Sequence, residues 1–233
     1  MTEPTSTGPT ELLDQVAQQL QPLLADLVFV GGSTVGLLIT DPAAERPRIT
    51  RDVDAAARVA SRPEFWKLEA QFRALGFGPD ISEGAPICRW VKGDLVVDLL
   101  TDNAEISGFT NPWYASAIDT ARPLTLPSGL VVRVVDAPHL IATKLVAWRD
   151  RGQSSWYSTD LEDIMLIFDG RPELLDELVA SPPDLRRFVA AELREVLADP
   201  DFDDALPGFL GGDSVSQNRA ILLRTRIEAA SRL

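Results

Sequence analysis

The stretch Phe29–Leu38, FVGGSTVGLL, decides how the chain is read. Leu27–Val30 is an apolar run that suits a buried strand, and it stops at Gly31 and Gly32. Thr34–Thr40 then reads as a helix. Glycines at a strand-to-helix turn let the backbone approach a ligand, and a helix start offers free N–H groups with partial positive charge. Ser33 adds a hydroxyl donor. The stretch is neither G-x-x-x-x-G-K-[ST] nor G-x-G-x-x-G. Taken alone it is equally an ordinary turn.

Further along comes Thr50–Ala56, TRDVDAA. Ile49–Ala55 alternates and reads as a strand, which puts Asp52 and Asp54 on one face with Val53 turned into the core. Like charges side by side repel until a cation neutralises them. Magnesium is a hard ion that takes oxygen ligands and accompanies phosphates. A solvated D-x-D at a strand end is the plain alternative. Asp98 adds weight to the metal. It sits in Asp94–Leu100, DLVVDLL, where a buried strand prefers an apolar residue. A buried aspartate needs a partner. It can cap a loop, pair with an arginine such as Arg89, or join Asp52 and Asp54 as a third ligand. Three carboxylates on neighbouring strands can hold two divalent ions for an in-line phosphoryl displacement.

Composition sets the bounds. The chain has 233 residues, 45% of them hydrophobic, enough for one large domain or a domain with a helical lobe. Mean hydropathy is near zero, so the chain can bury a core. No apolar run reaches the roughly 18 residues of a membrane span. The start, MTEPTSTGPTELLDQ, has no basic and apolar signal pattern and reads as a short polar tail. Cys88 is the only cysteine, which excludes an internal disulfide and fits a reducing cytoplasm. A net charge of −13 argues against a broad nucleic-acid surface, though not against a focused one.

The remaining pattern gives the organisation. Glu11–Leu24 is amphipathic, with Thr10 as its expected cap. Pro63–Leu75 reads as a helix stopped by Gly76. Ile87–Val91 and Asp94–Leu100 form a hairpin around KGD, and Leu130–Val134 is another strand. Pro138–Arg149 and Thr159–Phe168 read as helices. The rest is helical, broken by SPPD and LPGFLGGD. Residues 1–135 therefore mix α and β, and 136–233 are mainly α, an α+β arrangement whose cleft is the expected ligand site.

Gly31-Gly32-Ser33, Asp52-x-Asp54 and Asp98 together resemble the nucleotidyltransferase superfamily typified by DNA polymerase β, whose pattern is h-G-[GS], a helix, D-h-[DE] and a later carboxylate. The loop Asp41–Arg48 lengthens the gap between the first two parts. HLIATKLVAWRDRG and STDLEDIMLIFDGRPEL look like the AbiEii/AbiGii toxin-type branch, with Lys144, Arg149 or Arg151, Asp160 and Asp163 on its lysine, arginine and aspartate positions. Thr159 departs from the lysine or histidine common there. The resemblance covers roughly 27–178. It implies a nucleotidyltransferase-like mixed sheet followed by a helical lobe. It further implies transfer of NMP from an NTP to an RNA (tRNA) or protein acceptor, as the toxin of a toxin–antitoxin pair. Gly31, Gly32, Ser33, Lys144 and Asp160 would bind nucleotide. Asp52, Asp54 and Asp98 would hold Mg²⁺ or Mn²⁺, and these three with Lys144 would be catalytic. An aminoglycoside-type transferase and a non-catalytic nucleotide-binding regulator are the rival functions. His139, alone among possible zinc ligands of its type, reads as structural. Trp148 and Trp156 can stack on a base or fill the core.

Overall fold

The computed structural model describes residues 9–151 and 156–233. Residues 1–8 of the expected polar tail and Gly152 of the lysine motif lie outside them. Seven strands form one mixed sheet: β1 Leu27–Val30, β2 Val53–Ala57, β3 Gly78–Pro79, β4 Arg89–Lys92, β5 Leu95–Thr101, β6 Arg122–Thr125 and β7 Val131–Val134. Their order is β3-β4-β5-β2-β1-β7-β6, with β2/β5 and β1/β7 parallel and the other neighbours antiparallel. The α-helices are α1 Pro9–Gln19, α2 Val35–Leu38, α3 Arg62–Ala74, α4 Ala104–Ser107, α5 Tyr114–Thr120, α6 Ala137–Asp150, α7 Thr159–Gly170, α8 Leu174–Ala180, α9 Pro183–Ala198, α10 Phe202–Ala205, α11 Ser214–Asn218 and α12 Ala220–Ser231.

The chain divides into two compact units, residues 1–34 with 48–136, and residues 35–47 with 137–233. The first holds the whole sheet. Its centre is β1 and β2, whose residues are buried except Asp54, which is partly exposed. Alanines at Ala55, Ala56 and Ala57 keep β2 thin, and both α1 and α5 pack on it. Leu13, Val16, Ala17 and Leu20 supply the buried stripe of α1. The second unit is helical: α6 packs on α7, α8 and α9, and α12 on α7 and α9.

Three local expectations shift. The helix α1 begins at Pro9, so Thr10 lies inside it. The strand expected over Ile49–Ala55 begins only at Val53, because its partner β1 ends at Val30, opposite Asp54, where Gly31 turns the chain. Ile49, without a ladder to join, is 57% exposed. The helix expected over Thr34–Thr40 is a 3₁₀ turn at Gly32–Thr34 and a single α-turn, α2.

Residues 35–47 join the helical unit through the stretch DGRPEL. Gly170 O accepts from the backbone N–H groups of Thr40 (2.9 Å) and Asp41 (3.0 Å). Arg171 donates to Leu38 O (2.6 Å), and the Thr40 hydroxyl donates to Glu173 (2.8 Å). Arg219 of the C-terminal segment completes the clamp. It donates from Nε to Asp169 (2.8 and 3.0 Å) and from Nη2 to Asp41 (2.7 Å). Gly170 is required here, since a Cβ would come within 3.0 Å of Ile39 and Ala44. None of the described helices is long and apolar enough to cross a membrane.

Candidate active site

The register of the sheet sets the site. Arg89 of β4 faces Asp98 of β5, Asp98 faces Asp54 of β2, and Asp54 faces Val30 of β1. Residues directly opposite on neighbouring strands share a face, so Arg89, Asp98 and Asp54 make one cross-strand row. Gly31 follows Val30 with φ +71°, and a Cβ there would lie 2.7 Å from Asp54 Cγ. Only glycine lets the backbone come this close to the carboxylate. Asp52, just ahead of β2, adds a third carboxylate two residues before Asp54.

Arg89 ties the row together. Its Nε donates to Asp98 Oδ1 at 2.8 Å and its Nη2 to Asp98 Oδ2 at 2.8 Å, a bidentate fork. The same Nη2 reaches Asp52 Oδ2 at 2.7 Å. Hydrogen bonding to Asp98 raises the guanidinium further above its usual range, against the pull of partial burial. The Asp98 side chain is 11% exposed and that of Asp52 37%. Neighbouring Cys88 is buried, and desolvation pushes its thiol up to about 12, so it stays protonated and unreactive at neutral pH.

Ser33 is buried at 1% exposure, and its hydroxyl has no hydrogen-bond partner among the described residues. A buried unpaired hydroxyl is costly unless a ligand supplies the partner. Thr34, beside it, closes the turn by donating from its N–H and hydroxyl to Gly31 O at 3.2 and 2.8 Å.

The lysine motif belongs to the helical unit. Lys144 of α6 pairs with Asp160 at 3.0 Å and Asp163 at 2.7 Å, both on α7. Arg151 also reaches Asp160, at 3.0 Å. Ser158 caps α7, accepting from Asp160 N–H. Burial pulls the Lys144 ammonium down, but Asp163 and Asp160 together outweigh it and raise it above its ordinary value. His139 is buried at 1% exposure, and Trp156 packs against Phe202 with the rings tilted by 52° and centroids 5.9 Å apart.

The residues that local spacing left undecided are Arg89 and Arg219. Arg89 was one possible partner of Asp98, and the hairpin register selects it. Arg219 carries no sequence signal, since its partners lie 50 and 178 positions away. A separate concavity of about 500 Å³ lies towards the other end of β1 and β2, lined by Arg58, Lys67, Asp119 and Arg133 among others. Its mixed charges favour no single ligand.

Comparison with known proteins agrees with the fold. No family model matches the sequence, and no curated protein matches it. Among solved structures, the chain is similar to an antigenic nucleotidyltransferase-like protein from Paracoccidioides brasiliensis, at 19% identity and a TM-score of 0.50. The match covers 86% of this chain and 93% of that one. A protein described as a candidate nucleotidyltransferase from H. pylori aligns at 12% identity and a TM-score of 0.49, over 99% of this chain and 96% of that one. The fold of this chain is nucleotidyltransferase-like.

Proposed function

We propose that the chain is a nucleotidyltransferase that moves NMP from an NTP to a hydroxyl of an acceptor. The observation that carries the reading is the carboxylate row: Asp54 against the Gly31 turn, Asp98 opposite it, and Asp52 two residues before. The nucleotidyltransferase-like fold supports it. So does the orphaned Ser33 hydroxyl, which is ready for a phosphate oxygen.

The chain's own groups divide the work. Gly31 and Gly32 bring the backbone to the triphosphate, and Ser33 donates to it. The α2 segment is a single turn, so its dipole adds little and the turn's donors do the binding. Asp52 and Asp54 fit a hard divalent cation by donor type, Mg²⁺ or Mn²⁺, which when bound supplies charge neutralisation at the phosphates. Asp98, fixed by Arg89, orients the acceptor hydroxyl by accepting its hydrogen bond. The acceptor oxygen bonds to the α-phosphorus, the bond from that phosphorus to the bridging oxygen breaks, and pyrophosphate leaves. The acceptor proton passes to Asp98 or to water. Within the helical unit Lys144 pairs with Asp160 and Asp163, and the lysine keeps its full charge there.

The acceptor we propose is a focused RNA element, such as a tRNA end, or a protein hydroxyl, in a toxin acting in the cytoplasm with a cognate antitoxin. The test is incubation with Mg²⁺ and each labelled NTP, with and without total tRNA. Transfer or pyrophosphate release that disappears in Asp54→Asn is expected. Turnover unchanged in Asp54→Asn overturns the site. A non-catalytic nucleotide-binding regulator is the second reading, favoured by the hold of Arg89 on two of the three carboxylates. NTP binding without turnover on any acceptor, small aminoglycosides included, would establish it.

A further inference from the structure

Buried hydroxyls in this chain find partners. Thr34, Thr101, Thr143, Ser216 and Ser231 each donate to an oxygen of the chain, at 2.8–3.0 Å. Two do not. Ser33, 1% exposed, and Thr50, 5% exposed, are the only buried serine and threonine among the described residues whose hydroxyl lacks a partner. Such a group is costly to bury unless a ligand supplies what the chain withholds.

The two orphans are not scattered. The strands β1 and β2 run antiparallel, with Val30 opposite Asp54. Ser33 lies three residues past Val30, and Thr50 lies four residues before Asp54. Both therefore sit beyond the same end of this strand pair, the end that carries Asp52 and Asp54. Both belong to the sheet-bearing unit, Ser33 on the segment that leaves it and Thr50 on the segment that returns.

We propose that Thr50 is a second phosphate-binding hydroxyl, which together with Ser33 donates to oxygens of the triphosphate. The inference rests on the nucleotidyltransferase reading for the identity of the ligand, and on two buried, unpartnered hydroxyls at one strand end for the residue.

The chemistry of the ligand fits two such donors. A polyphosphate is a chain of acceptor oxygens with no donor of its own, so hydroxyls held on two different segments can both be used. Each donates one proton, and a hydrogen bond to an ionised acceptor is stronger than one to a carbonyl. Rotation about χ1 turns either oxygen towards a ligand without moving the backbone. The methyl group of Thr50 restricts that rotation, which holds the hydroxyl in few orientations. Thr50 is thus a binding residue, set two positions ahead of Asp52.

The test is calorimetric titration of the purified full-length chain with inorganic tripolyphosphate in Mg²⁺, and with adenosine as the phosphate-free control. Thr50→Val keeps the shape and removes the hydroxyl. It should weaken tripolyphosphate binding roughly fivefold, the worth of one hydrogen bond, while stability to denaturant stays equal or rises. Thr50→Ser keeps the hydroxyl and should bind as the wild type does. Thr50→Ala decides the matter if Thr50→Val fails to fold. Unchanged tripolyphosphate affinity in folded Thr50→Val or Thr50→Ala would overturn the proposal. So would a loss of stability with no loss of affinity, which marks a hydroxyl serving the fold, or a loss confined to adenosine. The two readings fail separately. Tripolyphosphate binding that falls in Thr50→Val, without NMP transfer to any acceptor, keeps this inference and removes the function. Transfer that depends on Asp54, with tripolyphosphate affinity untouched by Thr50→Val, does the reverse.

Discussion

At the scale of single residues, two small side chains at the β1 turn decide what the carboxylates can do. A methyl group on Gly31 would meet the Asp54 carboxylate and would force a side chain into a left-handed backbone. Gly31→Ala should cost about 1–3 kcal/mol of stability and displace Asp54. Denaturant unfolding and Mn²⁺ titration read the two effects. Ser33→Ala should behave oppositely. Removing a buried hydroxyl without a partner leaves stability unchanged or slightly improved, while NTP affinity falls roughly fivefold, the worth of one hydrogen bond of about 1 kcal/mol. An equal loss of stability and affinity in Ser33→Ala would show that the hydroxyl serves the fold. The turn at Gly31 and the strand that carries Asp54 were legible in the sequence, because each is local and its spacing reflects one turn and one strand start. Arg89 was legible only as one option, since choosing it requires the β4–β5 register.

At the scale of elements, the α6–α7 pair is held by charge in its interior. Lys144, Asp160 and Asp163 are nearly out of solvent, and each neutralises another. Lys144→Met leaves two buried carboxylates with less compensation and should destabilise the chain by about 3–5 kcal/mol. The pH dependence has a definite sign. The folded ammonium lies above its ordinary 10.5, so its contribution is complete below that value and is lost as pH rises through the higher folded one. Thermal unfolding followed through the alkaline range should fall more steeply for the wild type than for Lys144→Met. Parallel slopes would show that the lysine is not the titrating group. Helices such as α6, α7 and α9 were readable from their periodicity. Short elements were not. The β6 strand is largely exposed and contains Pro123, and β3 has two residues, so neither carries a periodic signal. The Thr34–Thr40 segment was read as a longer helix than α2 because its apolar residues fit either a helix or a docked loop.

At the scale of the whole molecule, the nucleotidyltransferase-like fold was legible because glycine turn, aspartate pair and later aspartate occur in the order the sheet needs. The assignment of residues 35–47 to the helical unit was not, because Arg219 and DGRPEL act over long sequence separations. Arg219→Ala should free this segment and leave Asp169, which is fully buried, without its partner. Trypsin should then cut faster at Arg48, at the end of this segment, with the rest of the helical unit resistant. Unchanged cleavage would show that the backbone bonds to Gly170 suffice.

Because residues 35–47 leave the sheet-bearing unit and return to it, the polypeptide passes between the two units three times, after Thr34, Pro47 and Asp136. A single crossover cannot shuffle the two as cassettes. A chimera that exchanges only residues 137–233 leaves the borrowed helices facing a foreign loop, and a fragment ending at Asp136 carries thirteen residues whose hosts are missing. Recombination, whether in a genome or at the bench, must move both pieces together, so the helical lobe and the loop behind the glycine turn are inherited as one trait.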